Sequence, residues 1–159
     1  MGKSTGRIME YIGSRVINAS RATIANILAD IRRLPEWNPA IRSVTAVDPV
    51  ALINTHYPIR AKLPGSPTIT YEQVSTDCIV WRLDGLQAHE TGTWNLVSVT
   101  DHKTEVTHTI THSGAIFRML SGAFRTVPGL RLDRLQRRAE CVPKSTRARD
   151  VDDPPEVLG

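Results

Sequence analysis

Apolar residues recur at helical spacing toward the C-terminus. Between Ala115 and about Glu140 they form one stripe: Ile116, Met119, Leu120, Ala123, Phe124 and Val127, then Leu132, Leu135 and Ala139 after Pro128-Gly129. Such a stripe is typical of an amphipathic helix that packs on a broad surface. The opposite side carries arginines: Arg118, Arg125, Arg131, Arg134 and Arg138. The pattern predicts one long C-terminal helix whose basic side faces solvent, with Pro128-Gly129 as a bend or hinge.

Residues 40–113 instead alternate between apolar and polar positions, as strands do. Extended segments are predicted at Ile41–Val47, Ala51–Tyr57, Ile59–Leu63, Thr68–Thr76, Cys78–Leu83, Ala88–Val99 and Thr104–Ser113. The breaks between them contain Gly, Pro, Asp and other turn residues. Because these connections are too short for crossover helices, we expect neighbouring strands to pair antiparallel.

The N-terminal part adds one strand and a short helical region. Arg7–Asn18 is predicted as the first strand, and Ser20 can cap a helix that ends near Leu34. The segment 35–39, Pro-Glu-Trp-Asn-Pro, predicts a rigid corner. The chain therefore reads as an α+β protein with two short helices after the first strand, about six to seven strands and a long last helix.

Composition indicates one domain without a membrane span or secretory signal. The chain has 159 residues, of which 40% are hydrophobic, and no apolar run approaches the length of a membrane helix. The first ten residues lack an apolar signal core. Cys78 and Cys141 are far apart, which predicts reduced thiols and a cytoplasmic location. We place the domain at residues 1–142 and expect a flexible charged tail at 143–159.

The net charge of +4 is concentrated near the C-terminus. Residues 118–149 contain nine basic and two acidic side chains, whereas residues 150–159 contain four acidic ones and no basic one. A solvated helix face explains this excess, because no aromatic residues alternate with the arginines as nucleic-acid binding favours. An alternative is a protein-interaction module whose basic helix binds an acidic partner. Monomer and homodimer are both compatible with the sequence.

The order of elements resembles the helix-grip fold of START-like, Bet v 1-like proteins, closest to the polyketide cyclase/dehydratase and lipid-transport group. The resemblance is carried by segments 17–44, 80–85, 92–97 and 104–114, and most specifically by Asp30 with the corner Leu34–Pro39. It implies a curved antiparallel sheet that grips the C-terminal helix, with a cavity between them for a hydrophobic small molecule. It supplies no universal catalytic motif.

Alternation assigns the inner face of the two longest predicted strands. Val106 and Ile110 mark this face in one strand, together with His108 and His112, while Trp94 and Leu96 mark it in the other, together with Glu90. Directly paired residues share a face, so both inner sets can be even-numbered only if the loop between the strands holds an odd number of residues. We therefore predict the three-residue loop 100–102. This register places Val99 opposite Lys103, Trp94 opposite His108 and Glu90 opposite His112.

The predicted pair of Glu90 and His112 is the candidate catalytic site. A carboxylate beside an imidazole orients the ring and favours its role as a base. His112 could then remove a proton adjacent to a carbonyl, as aldol cyclisation and aromatisation require. The alternative is that His112 is a hydrogen-bonded residue of the cavity wall.

The residues expected to line the cavity are mostly aromatic or apolar: Trp37, Tyr71, Trp81, Trp94, His108, Ile110, Phe117, Leu120 and Phe124. Trp37 could instead hold the short helices together. Arg60 and Arg82 could bind an anionic ligand group or face solvent. We expect no metal, because His108 and His112 lie about 13 Å apart along a strand and cannot share one ion unless a third element bends in. We also expect no cofactor.

The sequence leaves two functions open. One is a cyclase, aromatase or dehydratase that holds a polyketide-like substrate in a reactive conformation. The other is a non-catalytic carrier or sensor of a lipid-like ligand, with affinity from apolar burial and a few polar contacts. No hydrolase, zinc-protease, redox or dinucleotide-binding motif is present.

Overall fold

The computed structural model describes residues 6–141. Seven strands are present in this range: β1 Met9–Ile17, β2 Ile41–Val44, β3 His56–Ala61, β4 Thr68–Val74, β5 Cys78–Gly85, β6 Ala88–Thr100 and β7 Lys103–Ser113. The helices are α1 Arg21–Ala29, α2 Leu34–Trp37, α3 Ala115–Met119 and α4 Val127–Glu140, with 3₁₀ turns at Ile31–Arg33 and Ser121–Phe124. The tail predicted at 143–159 lies outside the described residues.

The strands form one curved antiparallel sheet in the order β1-β7-β6-β5-β4-β3-β2. α4 packs across β1, where Leu132 and Pro128 lie directly over Gly13. A methyl group on Gly13 would be 3.1 Å from both side chains, so the glycine allows the helix to approach the sheet closely. This arrangement is the predicted helix-grip fold, and its core lies between the inner face of the sheet and helices α1 and α4.

The region after β1 contains two short helices, as predicted, but they are divided differently. Ser20 caps α1 by accepting a 3.2 Å hydrogen bond from the Thr23 backbone N–H. The helix ends at Ala29 rather than near Leu34, because Asp30 adopts an extended conformation. The expected corner forms α2, since a proline in the first turn of a helix removes no hydrogen bond.

The expected strand at Ala51–Tyr57 is wrong. Residues 45–55 form a loop with two isolated bridges, and the next strand, β3, begins at His56. Asn54 has a φ of 61°, a left-handed conformation that turns the chain and that asparagine tolerates better than most residues. One strand, His56–Ala61, therefore replaces the two segments predicted at Ala51–Tyr57 and Ile59–Leu63.

The β6–β7 hairpin has the predicted register but reaches it by a different route. The turn contains two residues, Asp101 and His102, and Thr100 pairs with Lys103. An irregularity at Val99 supplies the extra residue that was expected in the loop. The predicted pairing of Val99 with Lys103 is therefore wrong, whereas the inner faces of both strands remain even-numbered.

The C-terminal helix is not continuous from Ala115. α3 ends at Met119, a 3₁₀ turn follows, and Pro128 lies in the first turn of α4 rather than at a bend within one helix. The predicted apolar stripe consequently fails in its first half, where the Met119 side chain is 84% exposed and Leu120 is 49% exposed. Phe117 is buried in their place. The second half follows the prediction, with Leu132, Leu135 and Ala139 buried.

Candidate functional site

The inner faces of β6 and β7 place two polar pairs inside the protein. Trp94 lies opposite His108, and Glu90 lies opposite His112, which confirms the predicted register. All four side chains are buried, with Glu90 only 4% exposed. Because buried ionisable groups are expensive unless they are paired, the contacts of these residues determine what the site can do.

Glu90 and His112 form a short hydrogen bond. His112 Nε2 lies 2.5 Å from Glu90 Oε2, and since the carboxylate can only accept, Nε2 carries the proton. Burial alone would raise the pKa of Glu90, but the Arg131 charge and the His112 hydrogen bond outweigh burial and lower that pKa to about 2. The other imidazole nitrogen, Nδ1, has no hydrogen-bond partner among residues 6–141.

Arg131 supplies the positive charge for this carboxylate. Its Nη1 atom lies 2.8 Å from Glu90 Oε1, although the angle is not that of a hydrogen bond, and its side chain is 2% exposed. The prediction that Arg131 faces solvent is therefore wrong. Because α4 begins at Val127, its buried positions are Pro128, Arg131, Leu132, Leu135 and Ala139, and Arg131 is the one charged member. A helix period counted from Pro128 would have identified it.

His108 is held in a neutral form by its surroundings. Its Nδ1–H donates to the Thr93 backbone oxygen at 3.1 Å, and its Nε2 accepts from Arg131 Nη1 at 3.3 Å. Burial, followed by the neighbouring Arg131 charge, lowers the pKa of His108 to about 3. Glu90, His108, His112 and Arg131 thus form one connected group, which we call the inner cluster.

Two phenylalanines cover His112. The Phe117 ring stacks on the imidazole with centroids 3.9 Å apart, and the Phe124 ring meets it edge-on at 4.7 Å. Both belong to residues 115–126, which join β7 to α4 and are named the cover segment here. Tyr11 on β1 approaches the same imidazole at 5.6 Å, and its hydroxyl donates to the Ser121 backbone oxygen at 2.5 Å. β1 therefore holds the cover segment near His112.

The other side of the inner cluster is lined by tryptophans. Trp94 stacks on His108 with centroids 3.6 Å apart, and Trp37 meets Trp94 edge-on at 5.4 Å. The Arg131 guanidinium lies 5.4 Å from the centre of the Trp81 ring, a cation–π arrangement. All three indole N–H groups are buried and have no acceptor within residues 6–141, although buried indole N–H groups usually have one.

The remaining predicted cavity residues divide into two groups. Ile110, between His108 and His112 on β7, is buried, as is Tyr71, whose hydroxyl donates to the Leu28 backbone oxygen at 3.1 Å. Burial raises the pKa of this hydroxyl. Leu120 is the exception, since half of its side chain faces solvent.

Side chains of the inner cluster and the aromatic rings around it contact one another in the space between sheet and helix that was expected to be hollow. Within the described part of the chain, two cavities of about 450 and 440 Å³ open at other places. The first lies near Arg42 and Arg60, and the second lies near Arg7, Arg118 and Arg125. The first is lined by Arg60, one of the two arginines considered for an anionic ligand group, but neither is lined by a residue from the set predicted to line the interior cavity. A ligand of the interior must therefore displace side chains of the protein.

Arg82, which was considered for an anionic ligand group, and Arg138 form ion pairs at the surface. Arg82 contacts Glu72 at 2.9 Å and Asp84 at 2.8 Å, and Arg138 contacts Glu36 at 2.6 Å. In residues 6–141, no three His, Cys, Asp or Glu side chains are placed to hold a metal ion together. None of the helices described is both long enough and apolar enough to cross a membrane.

Comparison with known proteins identifies the fold. Neither a protein-family model nor a curated protein sequence matches the chain. Among solved structures, an aromatase/cyclase from Streptomyces sp. R1128 has a TM-score of 0.66 at 13% identity, over 84% of this chain and 94% of that one. A START superfamily protein from Mycobacterium smegmatis has a TM-score of 0.63 at 15% identity, over 82% and 97%.

A third solved structure has a similar fold. Norcoclaurine synthase from Thalictrum flavum, in complex with dopamine and hydroxybenzaldehyde, has a TM-score of 0.67 at 11% identity, covering 91% of this chain and 96% of that one. The chain therefore has a helix-grip fold like that of these solved structures. At these identities the likeness establishes the fold, and function has to be argued from the site.

Proposed function

We propose that this protein binds a hydrophobic small molecule between the sheet and α4 and acts on it as a polyketide cyclase-, aromatase- or dehydratase-like enzyme. The observation that carries the proposal is the buried pair of Glu90 and His112, with Arg131 beside it. Replacing a buried ionic group by apolar side chains is often neutral or stabilising. A charged group kept at the centre of an apolar interior therefore favours a chemical role.

In this proposal His112 is the base. Glu90 accepts a hydrogen bond from Nε2–H and orients the ring, which leaves the Nδ1 lone pair to remove a proton from a carbon adjacent to a carbonyl. The electron pair of the broken C–H bond moves to the carbonyl oxygen and forms an enolate. In a cyclisation the enolate carbon attacks a second carbonyl carbon of the substrate, a C–C bond forms, and protonated His112 gives its proton to the resulting alkoxide oxygen. In a dehydration the enolate re-forms its carbonyl as the C–O bond at the next carbon breaks, and the same proton goes to the departing hydroxide, which leaves as water. Both routes restore the neutral imidazole.

The donors around the inner cluster suit the negative charge that develops on the substrate oxygen. Arg131 Nε and the indole N–H groups of Trp81 and Trp94 are buried without acceptors among the described residues. Donors fixed in a water-poor site stabilise an enolate more than solvent does, because they need little reorganisation. Arg131 thus has two roles in the proposal, holding the Glu90 carboxylate ionised and supporting the developing oxyanion.

Access requires movement of the cover segment. Phe117 covers the face of His112 and Phe124 packs against it edge-on, so a substrate can reach Nδ1 only when these rings move. The cover segment suits such movement, because it consists of one short helix and a 3₁₀ turn, and its Met119 and Leu120 side chains are largely exposed. Solved helix-grip proteins named as aromatase/cyclases add support at the level of the fold.

The second candidate is a carrier or sensor without catalysis. The close stacking of Phe117 on His112 favours it, because a covered imidazole does not contact a substrate until the cover moves. One structure of this fold is named only as a START superfamily protein. In this alternative the inner cluster would hold polar groups of the ligand, and its substitution would change affinity alone.

The test compares His112→Ala with His102→Ala, which removes an exposed imidazole from the β6–β7 turn. Binding of an aromatic poly-β-ketone analogue would be followed by tryptophan fluorescence, and its cyclisation by absorbance. We expect His112→Ala to lower turnover about 100-fold or more with affinity changed only a few-fold, and His102→Ala to match the wild type. Binding without turnover by the wild type would favour the carrier, and absence of binding would contradict both.

A further inference from the structure

We propose that the surface cavity beside the cover segment binds an anionic group, a phosphate or carboxylate, of the same ligand whose apolar part enters the interior. The inference rests on the proposed function. The cavity has a volume of about 440 Å³ and includes Arg7, Arg118 and Arg125 in its lining. We call it the arginine cavity.

The charges of the arginine cavity are not balanced by the protein. Its lining includes three basic residues and one acidic residue, Glu10. None of the three arginines forms an ion pair with a residue of the described range, whereas nearby Arg15 pairs with Asp133. Like charges that converge on one cavity repel each other, and an anion relieves the repulsion. Arginine is also the side chain whose geometry best matches phosphate and carboxylate.

The position of the arginine cavity connects it to the inner cluster. Tyr11 and Ser121 line the cavity, and the Tyr11 hydroxyl donates to the Ser121 backbone oxygen. On its inner side the Tyr11 ring lies 5.6 Å from the His112 ring. One aromatic side chain therefore separates the cavity from the proposed base, a distance that a small amphipathic ligand can span.

The cover segment contributes to both sides of this boundary. Arg118, Ser121, Gly122 and Arg125 line the arginine cavity, while Phe117 and Phe124, from the same twelve residues, contact His112. An anion held by Arg118 and Arg125 would place the attached apolar part at the edge of the cover segment. The arrangement fits a ligand with a charged end and an apolar, carbonyl-bearing end. The cavity near Arg42 and Arg60 includes no residue of the inner cluster or the cover segment in its lining.

The experiment compares 1-naphthyl phosphate with 1-naphthol, which share one apolar ring system and differ in the anion. Affinities would be measured by calorimetry and tryptophan fluorescence at low salt for the wild type, Arg118→Gln/Arg125→Gln and the control Arg134→Gln/Arg137→Gln. The control removes the same charge from α4 outside the cavity. We expect the wild type to prefer the phosphate about 10-fold or more, equivalent to about 1.4 kcal/mol, and the first variant alone to lose the preference.

Equal affinities for the two compounds, or equal losses in both variants, would overturn the proposal. Inorganic phosphate, followed through the amide NMR signals of Ser121 and Gly122, tests the cavity separately. Shifts of these signals without any response of the buried tryptophans to naphthol would support the anion site and contradict the proposed function. Binding to phosphatidic acid vesicles but not to naphthyl phosphate would assign the cavity to a membrane headgroup and overturn its assignment to a soluble ligand.

Discussion

Arg131 Nη1 on α4 lies 2.8 Å from Glu90 Oε1 on β6, and both side chains are almost completely buried. This ion pair joins the C-terminal helix to the inner face of the sheet. It also links the two polar pairs of β6 and β7, because the same guanidinium nitrogen donates to His108. Arg131 is therefore the side chain through which α4 contacts both Glu90 and His108 on the inner face of the sheet.

The first prediction concerns the stability of this ion pair. Arg131→Met leaves the Glu90 carboxylate buried without its positive partner, so we expect a loss of about 3–5 kcal/mol in the free energy of unfolding. The measurement is guanidinium unfolding at pH 7. Arg137→Met, at an exposed position of the same helix, is the control and should change the free energy by less than about 0.5 kcal/mol.

A double variant separates the lost charge from the lost packing. Glu90→Gln/Arg131→Met removes both charges. Its loss in the free energy of unfolding should therefore be smaller than the sum of the losses in the two single variants, by about 1 kcal/mol or more. Additive losses would show that Arg131 acts through packing on Trp81 and not through Glu90. A loss below about 1 kcal/mol for Arg131→Met alone would contradict the importance of the pair.

The second prediction uses the neutral state of His108. Its pKa is lowered from 6.5 to about 3 in the folded protein, so below pH 6.5 only the unfolded chain binds this proton. Stability should therefore fall as the pH decreases from 6.5 toward 3. Because this contribution is absent from His108→Gln, the stability difference between wild type and variant should shrink by about 2 kcal/mol between pH 7 and pH 5.

The contribution of Glu90 to stability changes in a lower pH range than the contribution of His108. Its pKa is lowered from 4.5 to about 2, so its contribution is complete above pH 4.5 and is lost as the pH falls from there toward 2. Urea unfolding at pH 5, 6 and 7 thus reports on His108 and not on Glu90. His102→Gln, in the exposed turn, is the control. A constant difference between wild type and His108→Gln would show that His108 is not held neutral.

Alternation along the strands was sufficient to predict the central pairing of the site. Side chains in a strand alternate between faces, so two even-numbered inner sets restrict the β6–β7 register to one parity. The pairing of Glu90 with His112 is confirmed even though the predicted loop was wrong, since the irregularity at Val99 preserves that parity. Whether the pair catalyses a reaction stays a prediction.

The helix side of the site could not be predicted in the same way. A stripe of apolar residues continues through Met119 and Leu120, but residues 120–126 leave the α-helical geometry, so the period restarts at Val127. Arginine on an amphipathic helix usually faces solvent, and the partner that keeps Arg131 inside lies 41 residues earlier in the chain. Only the packing of α4 on the sheet brings Arg131 and Glu90 together.

The third prediction tests the packing of Trp81, which holds one side of the inner cluster. Trp81 pairs with Gly92 across β5 and β6, and a methyl group on Gly92 would lie 2.4 Å from the indole ring. We expect Gly92→Ala to lower the free energy of unfolding by about 1–3 kcal/mol because the ring must move. Thermal or urea unfolding measures the effect.

A matched glycine provides the control for this substitution. Gly122 has no atom within 4 Å of an added methyl group, so Gly122→Ala should leave the stability nearly unchanged. In a Trp81→Leu background the ring is absent, and Gly92→Ala should then cost less than about 1 kcal/mol. An equal cost in both backgrounds would attribute the loss to the backbone of β6 and not to the contact with Trp81.

The fourth prediction tests how the cover segment is held. The Tyr11 hydroxyl donates to the Ser121 backbone oxygen, so Tyr11→Phe removes a hydrogen bond between β1 and the cover segment. Such a bond contributes about 1 kcal/mol, so amide hydrogen exchange in residues 115–126 should accelerate about 5-fold. Tyr57→Phe is the control, because the Tyr57 hydroxyl bonds to Leu52 and Asp48 in another loop.

Exchange in β6 and β7 decides how the result is interpreted. If the cover segment opens as a local unit, its amides accelerate in Tyr11→Phe while the amides of β6 and β7 keep the wild-type rates. Faster ligand association should accompany the change, because a ligand reaches His112 only when Phe117 and Phe124 move. Equal acceleration throughout the sheet would instead mean that Tyr11 stabilises the whole domain, and unchanged exchange at 115–126 would show that the hydrogen bond does not hold the cover segment.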